Sequence, residues 1–154
     1  MKDISIRIVE PLDAALHQLI KALDEELLER YPAEEVHGLD FTDPGIKETV
    51  FIVAFAGDEP VGCGAIRPLD AQYTELKRFF VRKESRKLGI AAAMLFFLED
   101  QAQSRGFAGI RLETGPEQPE SLKFYEKHGY VFIGKFGEYV DYELSMCYEK
   151  LFDA

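Results

Sequence analysis

The stretch Glu75–Arg105, ELKRFFVRKESRKLGIAAAMLFFLEDQAQSR, decides the fold. It opens with an apolar, aromatic run from Leu76 to Val81 that has the length of a strand. It ends in an alanine- and leucine-rich segment that is typical of a helix. Between them lies a basic loop with one glycine, Gly89. The first amides of a helix have no intrahelical partners and carry the positive end of the helix dipole, so this arrangement predicts an anion site such as a phosphate site.

Charge is distributed unevenly along the chain. Residues 77–87 hold six cations and one anion, whereas the whole chain of 154 residues has a net charge of −10. A solvated basic turn is the alternative to a phosphate site, because charge runs usually lie on the surface. The negative net charge argues against nucleic acid as a partner, since phosphate backbones require a larger basic surface. It suits a cationic amine substrate instead.

Two motifs resemble those of the GNAT superfamily of N-acetyltransferases. The segment Arg86–Ala91, RKLGIA, is similar to the signature R/Q-x-x-G-x-G/A, and Phe124–Tyr130, FYEKHGY, resembles the downstream F/LYEKxGF/Y segment. The strings GCGAIRPLD, ELKR, RLETG, QPE and FGEY resemble a branch of small bacterial acetyltransferases of YsnE type. The resemblance covers essentially the whole chain, and it implies a fold and a co-substrate but not an acceptor.

The implied fold is α/β: a single GNAT-like domain over residues 1–154, in which 154 residues are enough to bury a core. It has a twisted, mostly antiparallel sheet of six to seven strands, with a splayed central parallel pair and helices on both faces. The hydrophobic pattern and the turn residues agree with this fold. They predict strands at Ile4–Val9, Thr49–Ala56, Val61–Ile66, Leu76–Val81, Ala108–Thr114, Tyr130–Phe136 and Tyr142–Leu151, and helices over Leu12–Leu27, from about Ile90 to the last turn before Gly106, and over Pro119–Lys127.

The resemblance implies that acetyl-coenzyme A (acetyl-CoA) binds between the two splayed strands as a co-substrate. Its pyrophosphate would contact backbone amides of residues 86–91, and a backbone amide near Val81 would hold the thioester carbonyl oxygen. Two family positions depart from the usual pattern, with Gln118 in place of Asn and Ser121 in place of Ala. The residues expected to bind acetyl-CoA are Phe79, Phe80, Val81, Arg86, Lys87, Leu88, Gly89, Ile90, Ala91, Gln118, Ser121 and Tyr125.

Three residues are candidates for proton transfer, because amine acetylation needs a deprotonated nitrogen and a proton for the departing thiolate. Tyr125 matches the family tyrosine that protonates the thiolate, and a core tyrosine is its structural alternative. The resemblance implies that Glu75 is the first candidate for the general base, because it lies eleven residues before Arg86, the spacing at which some family members place a strand glutamate in this role. Ion pairing to a neighbouring cation is the alternative. Glu113, near the end of the opposite splayed strand, is the rival for base or amine anchor.

The irregular segment of residues 33–47 contains His37 and borders the acceptor mouth in the family, which makes His37 a candidate substrate contact. A plain surface loop is the alternative. The implied activity is transfer of an acetyl group to a small-molecule amine by direct attack, which requires no metal. A catalytically silent CoA-binding or regulatory module and an enzyme that acetylates a protein amine are the alternatives.

Location and assembly follow from simpler features. The two cysteines, Cys63 and Cys147, lack the spacing of a disulfide framework or a zinc site. The sequence has no stretch typical of a signal peptide or a membrane span, so a cytoplasmic location without a membrane partner is expected. The sequence is compatible with a homodimer and does not fix the oligomeric state.

Overall fold

The computed structural model describes residues 3–152, so the expected domain limits at residues 1 and 154 lie outside the described range. The strands are β1 Ile4–Val9, β2 Val50–Ala56, β3 Glu59–Pro68, β4 Tyr73–Val81, β5 Gly109–Thr114, β6 Val131–Ile133 and β7 Met146–Leu151. The helices are α1 Ala14–Arg30, α2 Ile90–Ser104 and α3 Pro119–Lys127. Within this range, none of the helices combines the length and the apolar character that crossing a bilayer requires.

The seven strands form one sheet in the order β1-β2-β3-β4-β5-β7-β6. The pair β4–β5 is parallel, and the other neighbouring strands of the sheet are antiparallel. The last strand in sequence, β7, lies between β5 and β6. The predicted GNAT-like mixed sheet with a central parallel pair is therefore confirmed.

Helices cover both faces of the sheet, as predicted, and β2 shows why. Successive side chains of a strand point to opposite faces. Phe51 and Val53 pack with the buried stripe of α1, whereas Ile52 and Ala54 pack on the other face with α2. Both faces of β2 are buried, so its sequence is a continuous apolar run. The α1 stripe consists of Leu16, Leu19, Ile20 and Leu23, and the α2 stripe includes Ile90, Met94, Leu95, Leu98 and Ala102.

The last two strands are shorter than predicted. The predicted runs Tyr130–Phe136 and Tyr142–Leu151 are strands only over Val131–Ile133 and Met146–Leu151. The chain between them forms a short 3-10 helix at Gly137–Asp141 that turns the side chain of Tyr139 inward, where it is 1% exposed. The segment leaves the sheet because the Tyr139 hydroxyl hydrogen-bonds buried charges on β4.

Candidate active site

The central parallel strands part at a fork. Cα pairing between β4 and β5 runs from Tyr73 opposite Gly109 to Leu76 opposite Leu112, where it ends. β4 continues to Val81 and β5 to Thr114 without pairing to each other. The predicted splay is therefore present, and it leaves backbone groups of β4 open on that side.

A large cavity of about 670 Å³ lies between the end of β4, the start of α2 and the side of α3. This volume is in the range of sites that bind small molecules and cofactors. Its wall contains most of the residues predicted to bind acetyl-CoA. They are Phe79, Phe80, Val81, Arg86, Lys87, Gly89, Ile90, Ala91, Gln118, Ser121 and Tyr125. Leu88 is the exception, because its side chain points to solvent and is 62% exposed.

The loop before α2 has the backbone geometry of an anion site. Gly89 takes φ +83°, a left-handed conformation that favours glycine, and it directly precedes the first residue of α2. Lys87 also has a positive φ of 67°. No side chain of the described residues caps the start of α2, and a Cβ built on Gly89 would have no atom within 4 Å. The loop and helix start therefore fit a diphosphate, which would be held by backbone amides.

Arg86 is already paired on this wall. Its Nη2 lies 2.6 Å from Oε2 of Glu26 on α1, and its Nε donates to the Val81 carbonyl oxygen at 2.8 Å. Glu26 also accepts from Arg30, which in turn contacts Glu120 on α3 at 2.6 Å. These ion pairs run from the loop before α2 (residues 82–89, the proposed phosphate loop) to α3, along one side of the large cavity. A phosphate that approaches Arg86 must therefore compete with Glu26.

A second, smaller cavity of about 100 Å³ adjoins the first at the fork. The two cavities share part of their walls, namely Leu23, Leu27, Phe79, Gln118, Ser121 and Tyr125. Tyr125 is 7% exposed, and burial raises the pKa of its phenol, so the hydroxyl stays protonated at neutral pH. Its side chain thus belongs to the boundary between the two cavities.

Glu113 lines the small cavity and no part of the large one. Burial raises the pKa of its carboxyl group to about 7, against the opposing effects of the Ser145 hydroxyl and the Lys77 ammonium group. A carboxyl group with this pKa is ionised in a useful fraction of molecules near neutral pH and is a competent general base. The role of base or amine anchor for Glu113 stays a prediction, with which its place in the cavity wall and its raised pKa are compatible.

Glu75 lies elsewhere. Its carboxylate is 1% exposed and contacts neither cavity. Oε1 accepts from Arg67 at 2.6 Å, and Oε2 accepts from the hydroxyl of Tyr139. The structure thus shows the ion-paired arrangement that was the alternative for Glu75, and the predicted role of this carboxylate as general base stays a prediction.

His37 does reach the small cavity. Its side chain is 6% exposed and packs edge-on against the rings of Tyr139 and Tyr142. Burial lowers its pKa, and its Nε2 has no hydrogen-bond partner among residues 3–152. Glu35 lines the same cavity and has an unpartnered buried oxygen, Oε2. The segment around these residues therefore lines the small cavity, and a substrate contact at His37 stays a prediction.

Sequence reasoning missed four residues around the small cavity. Lys77 and Tyr139 line it, Arg67 neutralises Glu75 behind it, and Tyr31 joins α1 to the start of α3. Tyr31 fits only because residue 115 is glycine, since a Cβ there would overlap the Tyr31 ring. The other three residues lie in strings that resemble YsnE-type acetyltransferases, which could have drawn attention to them. Arg67 lies in GCGAIRPLD, Lys77 in ELKR and Tyr139 in FGEY. Within residues 3–152, no cluster of three His, Cys, Asp or Glu side chains could hold a metal.

Comparisons with known proteins agree with this geometry. Residues 15–130 match the family model described as acetyltransferase (GNAT) family. The IAA acetyltransferase of Azospirillum brasilense is 37% identical over 151 residues, which cover 97% of this chain and 99% of that protein. The uncharacterised N-acetyltransferase YsnE of Bacillus subtilis is 31% identical over 110 residues, which cover 70% of this chain and 73% of that protein. A structure from Klebsiella pneumoniae, described as a candidate acyl-CoA N-acyltransferase, is 28% identical with a TM-score of 0.81 and covers 96% of this chain and 97% of its own. The resemblance inferred from the sequence is confirmed.

Proposed function

Because the chain belongs to the acetyltransferase (GNAT) family and is an acetyl-CoA-dependent N-acetyltransferase, we propose that its acceptor is the primary amine of a small molecule. The amine attacks the thioester directly, in a complex that holds both substrates. The observation that carries this proposal is the shared wall between the two cavities at the fork. A long co-substrate fits the large cavity, and an amine in the small cavity then faces the same wall.

Glu113 acts as the general base in this proposal. An alkyl ammonium group must lose a proton before its nitrogen can attack, and the Glu113 carboxylate accepts that proton in the small cavity. Nitrogen then forms a bond to the thioester carbonyl carbon, and the carbonyl oxygen takes the negative charge. A backbone amide near Val81, on the part of β4 that β5 leaves unpaired, stabilises that oxygen.

Tyr125 acts as the general acid. When the intermediate collapses, the carbon–sulfur bond breaks and its electron pair goes to sulfur. The protonated Tyr125 hydroxyl donates its proton to that sulfur. The nitrogen of the new amide then releases a proton to solvent, and the Tyr125 phenolate takes one up from solvent. The side chain position in the shared wall supports this role. The raised pKa keeps the proton on the phenol at neutral pH but makes the phenol a weaker acid, so the proton has to move as the carbon–sulfur bond breaks.

Thiol release from acetyl-CoA, measured with a panel of primary amines, tests the proposal. We expect release that depends on the amine and rises as the pH rises through about 7, where Glu113 ionises. An enzyme that binds acetyl-CoA by calorimetry but releases no thiol with any amine would be the silent CoA-binding module. Release only in the presence of a lysine-containing protein would favour a protein amine as the acceptor.

We further propose that the protein acts in the cytoplasm and that its role needs neither a nucleic acid nor a membrane. Cys63 and Cys147 are both free and buried, which suits a reducing compartment. The net charge of −10 is unfavourable for contact with nucleic acids or anionic lipid headgroups. Sedimentation of the purified protein, alone and with anionic vesicles, tests this expectation and also reports whether a homodimer forms.

A further inference from the structure

The fork between β4 and β5 carries opposite charges on its two sides. Leu76 opposite Leu112 is the last Cα pair, so Lys77 and Glu113 are the first residues beyond it, one on each strand. Both side chains line the small cavity. Leu76 and Leu112 belong to the core under α2, and strand alternation places the next residue of each strand toward the α1 face.

The ammonium group of Lys77 is buried with hydrogen-bonding capacity left over. Its side chain is 4% exposed. Within residues 3–152, Nζ donates one hydrogen bond, to the Tyr139 hydroxyl at 2.8 Å, although an ammonium group has three donors. The Oε2 atom of Glu75 lies 3.9 Å away, a long ion pair without a hydrogen bond, and that carboxylate also pairs with Arg67, which contacts Glu138 at 3.5 Å. Two ammonium donors are thus left without an acceptor in residues 3–152, so a carboxylate that accepts from them is a favourable partner.

Glu113 does not supply that partner directly. No ion pair joins Lys77 to Glu113 in the described part of the chain, although each charge influences the other. The cavity between them measures about 100 Å³. At the roughly 30 Å³ that a water molecule occupies in the liquid, it has room for about three water-sized groups. The ammonium, Cα and carboxylate groups of an α-amino acid match this space.

The cavity also offers hydrogen-bonding atoms for the rest of such a molecule. His37 Nε2 and Glu35 Oε2 are both buried without partners in residues 3–152, and both residues line the cavity. They lie on the segment that follows α1, whereas Lys77 and Glu113 lie on the sheet. A ligand between them could contact charged groups on one side and polar atoms on the other.

We infer that the acceptor is a zwitterion, an amine that carries a carboxylate within a few bonds, as an α-amino acid does. Its carboxylate binds the Lys77 ammonium group and its amine faces Glu113, so that it spans the fork. This inference rests on the proposed transfer of acetyl groups to small-molecule amines. Lys77 on β4 and Glu113 on β5 together favour this class of acceptor.

Matched acceptors test it in the thiol-release assay. Each triplet contains an α-amino acid, its uncharged amide and its decarboxylated amine, for example L-phenylalanine, L-phenylalaninamide and phenethylamine, or L-alanine, L-alaninamide and ethylamine. In at least one triplet, we expect the amino acid to have a kcat/KM about ten- to a hundredfold above both other members, the effect of one hydrogen-bonded charge. If the amides or decarboxylated amines are as good or better in every triplet, the inference is wrong and the proposed function stands.

Substitutions of Lys77 test whether this residue causes the preference for the amino acid. Lys77→Met keeps the length and removes the charge, and Lys77→Arg keeps the charge. Because the Lys77 charge also lowers the pKa of Glu113, the comparison is made at a pH well above 7, where Glu113 is ionised. There we expect Lys77→Met to raise KM for the amino acid about ten- to a hundredfold more than KM for the decarboxylated amine, and Lys77→Arg to restore part of the loss. Equal losses for both acceptors in Lys77→Met would show a structural role and overturn the assignment. Acetyl-CoA affinity by calorimetry reports folding of each variant, and if Lys77→Met does not fold, the wild-type triplets decide alone.

Absence of turnover is also informative. If no amine of any kind releases thiol while acetyl-CoA still binds, both the zwitterion inference and the proposed function fail. If plain amines are acetylated and no carboxylate-bearing amine is, only the inference fails.

Discussion

The hydroxyl group of Tyr139 donates a hydrogen bond to Glu75 Oε2, although 64 residues of chain separate the two side chains. Arg67 donates to the other oxygen, so both oxygens of this buried carboxylate are occupied. Burial and the adjoining carboxylate raise the pKa of the Tyr139 hydroxyl, which therefore remains a donor. We therefore propose a structural role for this buried carboxylate and assign the general base to Glu113, the carboxylate that lines the small cavity.

Paired substitutions of the two glutamates distinguish their roles. We expect Glu113→Gln to lower kcat by about 10²- to 10⁴-fold and to remove the rise of the pH–rate profile near pH 7. Glu75→Gln should keep that rise and instead lower the thermal midpoint, because it leaves Arg67 without its buried partner. If Glu75→Gln loses the rise of the pH–rate profile near pH 7 and Glu113→Gln keeps it, Glu75 is the base and the assignment is reversed.

Stability should also depend on pH through Glu113. Its folded pKa, about 7, is raised from the ordinary value of 4.5. Between those two pH values the folded state binds more protons than the unfolded state, so this group lowers stability as the pH rises from about 4.5 to 7. Glu113→Gln cannot ionise and is free of this penalty. The thermal midpoint of the variant, relative to wild type, should therefore be higher at pH 8 than at pH 5, by roughly 3 °C or more. An equal difference at both pH values would contradict the raised pKa.

The wall of the large cavity was predictable from local sequence, and the wall of the small cavity was not. The proposed phosphate loop is a contiguous segment in which Gly89 and the start of α2 are adjacent in the chain, so a short motif contains both. The small cavity instead combines Lys77 from β4, Glu113 from β5 and Tyr139 from a late loop. Their meeting depends on strand order and on the point where β4 and β5 part, neither of which a local pattern contains. Glu75 illustrates the difference. Its spacing from the motif suggested a general base, but its two carboxylate oxygens accept hydrogen bonds from Arg67 and Tyr139, which are distant in sequence.

Tyr125 provides a test of the proton donor. We expect Tyr125→Phe to lower kcat by about ten- to a thousandfold, because the ring still packs but no proton is available for the thiolate. Acetyl-CoA affinity should stay within a fewfold of wild type, since the ring continues to line the shared wall. Tyr130→Phe is the matched control, because Tyr130 is also buried and its ring packs against that of Tyr125, but its hydroxyl donates to Glu99 away from both cavities. Unchanged turnover in Tyr125→Phe would exclude this residue as the acid.

Two glycines at opposite ends of α2 test the phosphate loop. Gly89 and Gly106 have similar φ values of +83° and +88°, and a Cβ on either would have no atom within 4 Å. A side chain at either position costs about 1–2 kcal/mol of backbone strain. Gly89→Glu and Gly106→Glu should therefore lower the thermal midpoint similarly. Only Gly89→Glu should abolish acetyl-CoA binding in calorimetry, since it places a carboxylate where the diphosphate is expected. Unaltered affinity in Gly89→Glu would remove the phosphate-loop assignment.

If Arg86 binds the coenzyme diphosphate as proposed, Glu26 competes with the coenzyme for the same guanidinium group. The contact is 2.6 Å long, and the two side chains are 29% and 17% exposed, so its strength is that of a partly screened pair. Removing the Glu26 charge should leave Arg86 free for the diphosphate and lower the Kd for acetyl-CoA by about two- to fivefold, the equivalent of up to ~1 kcal/mol. Glu26→Gln carries the test, and Glu25→Gln, an exposed neighbour on α1, controls for the change in net charge. Titration calorimetry at two salt concentrations should show a steeper salt dependence for Glu26→Gln than for Glu25→Gln. Weaker binding in Glu26→Gln would mean that Glu26 orients Arg86 for the coenzyme instead of competing for it.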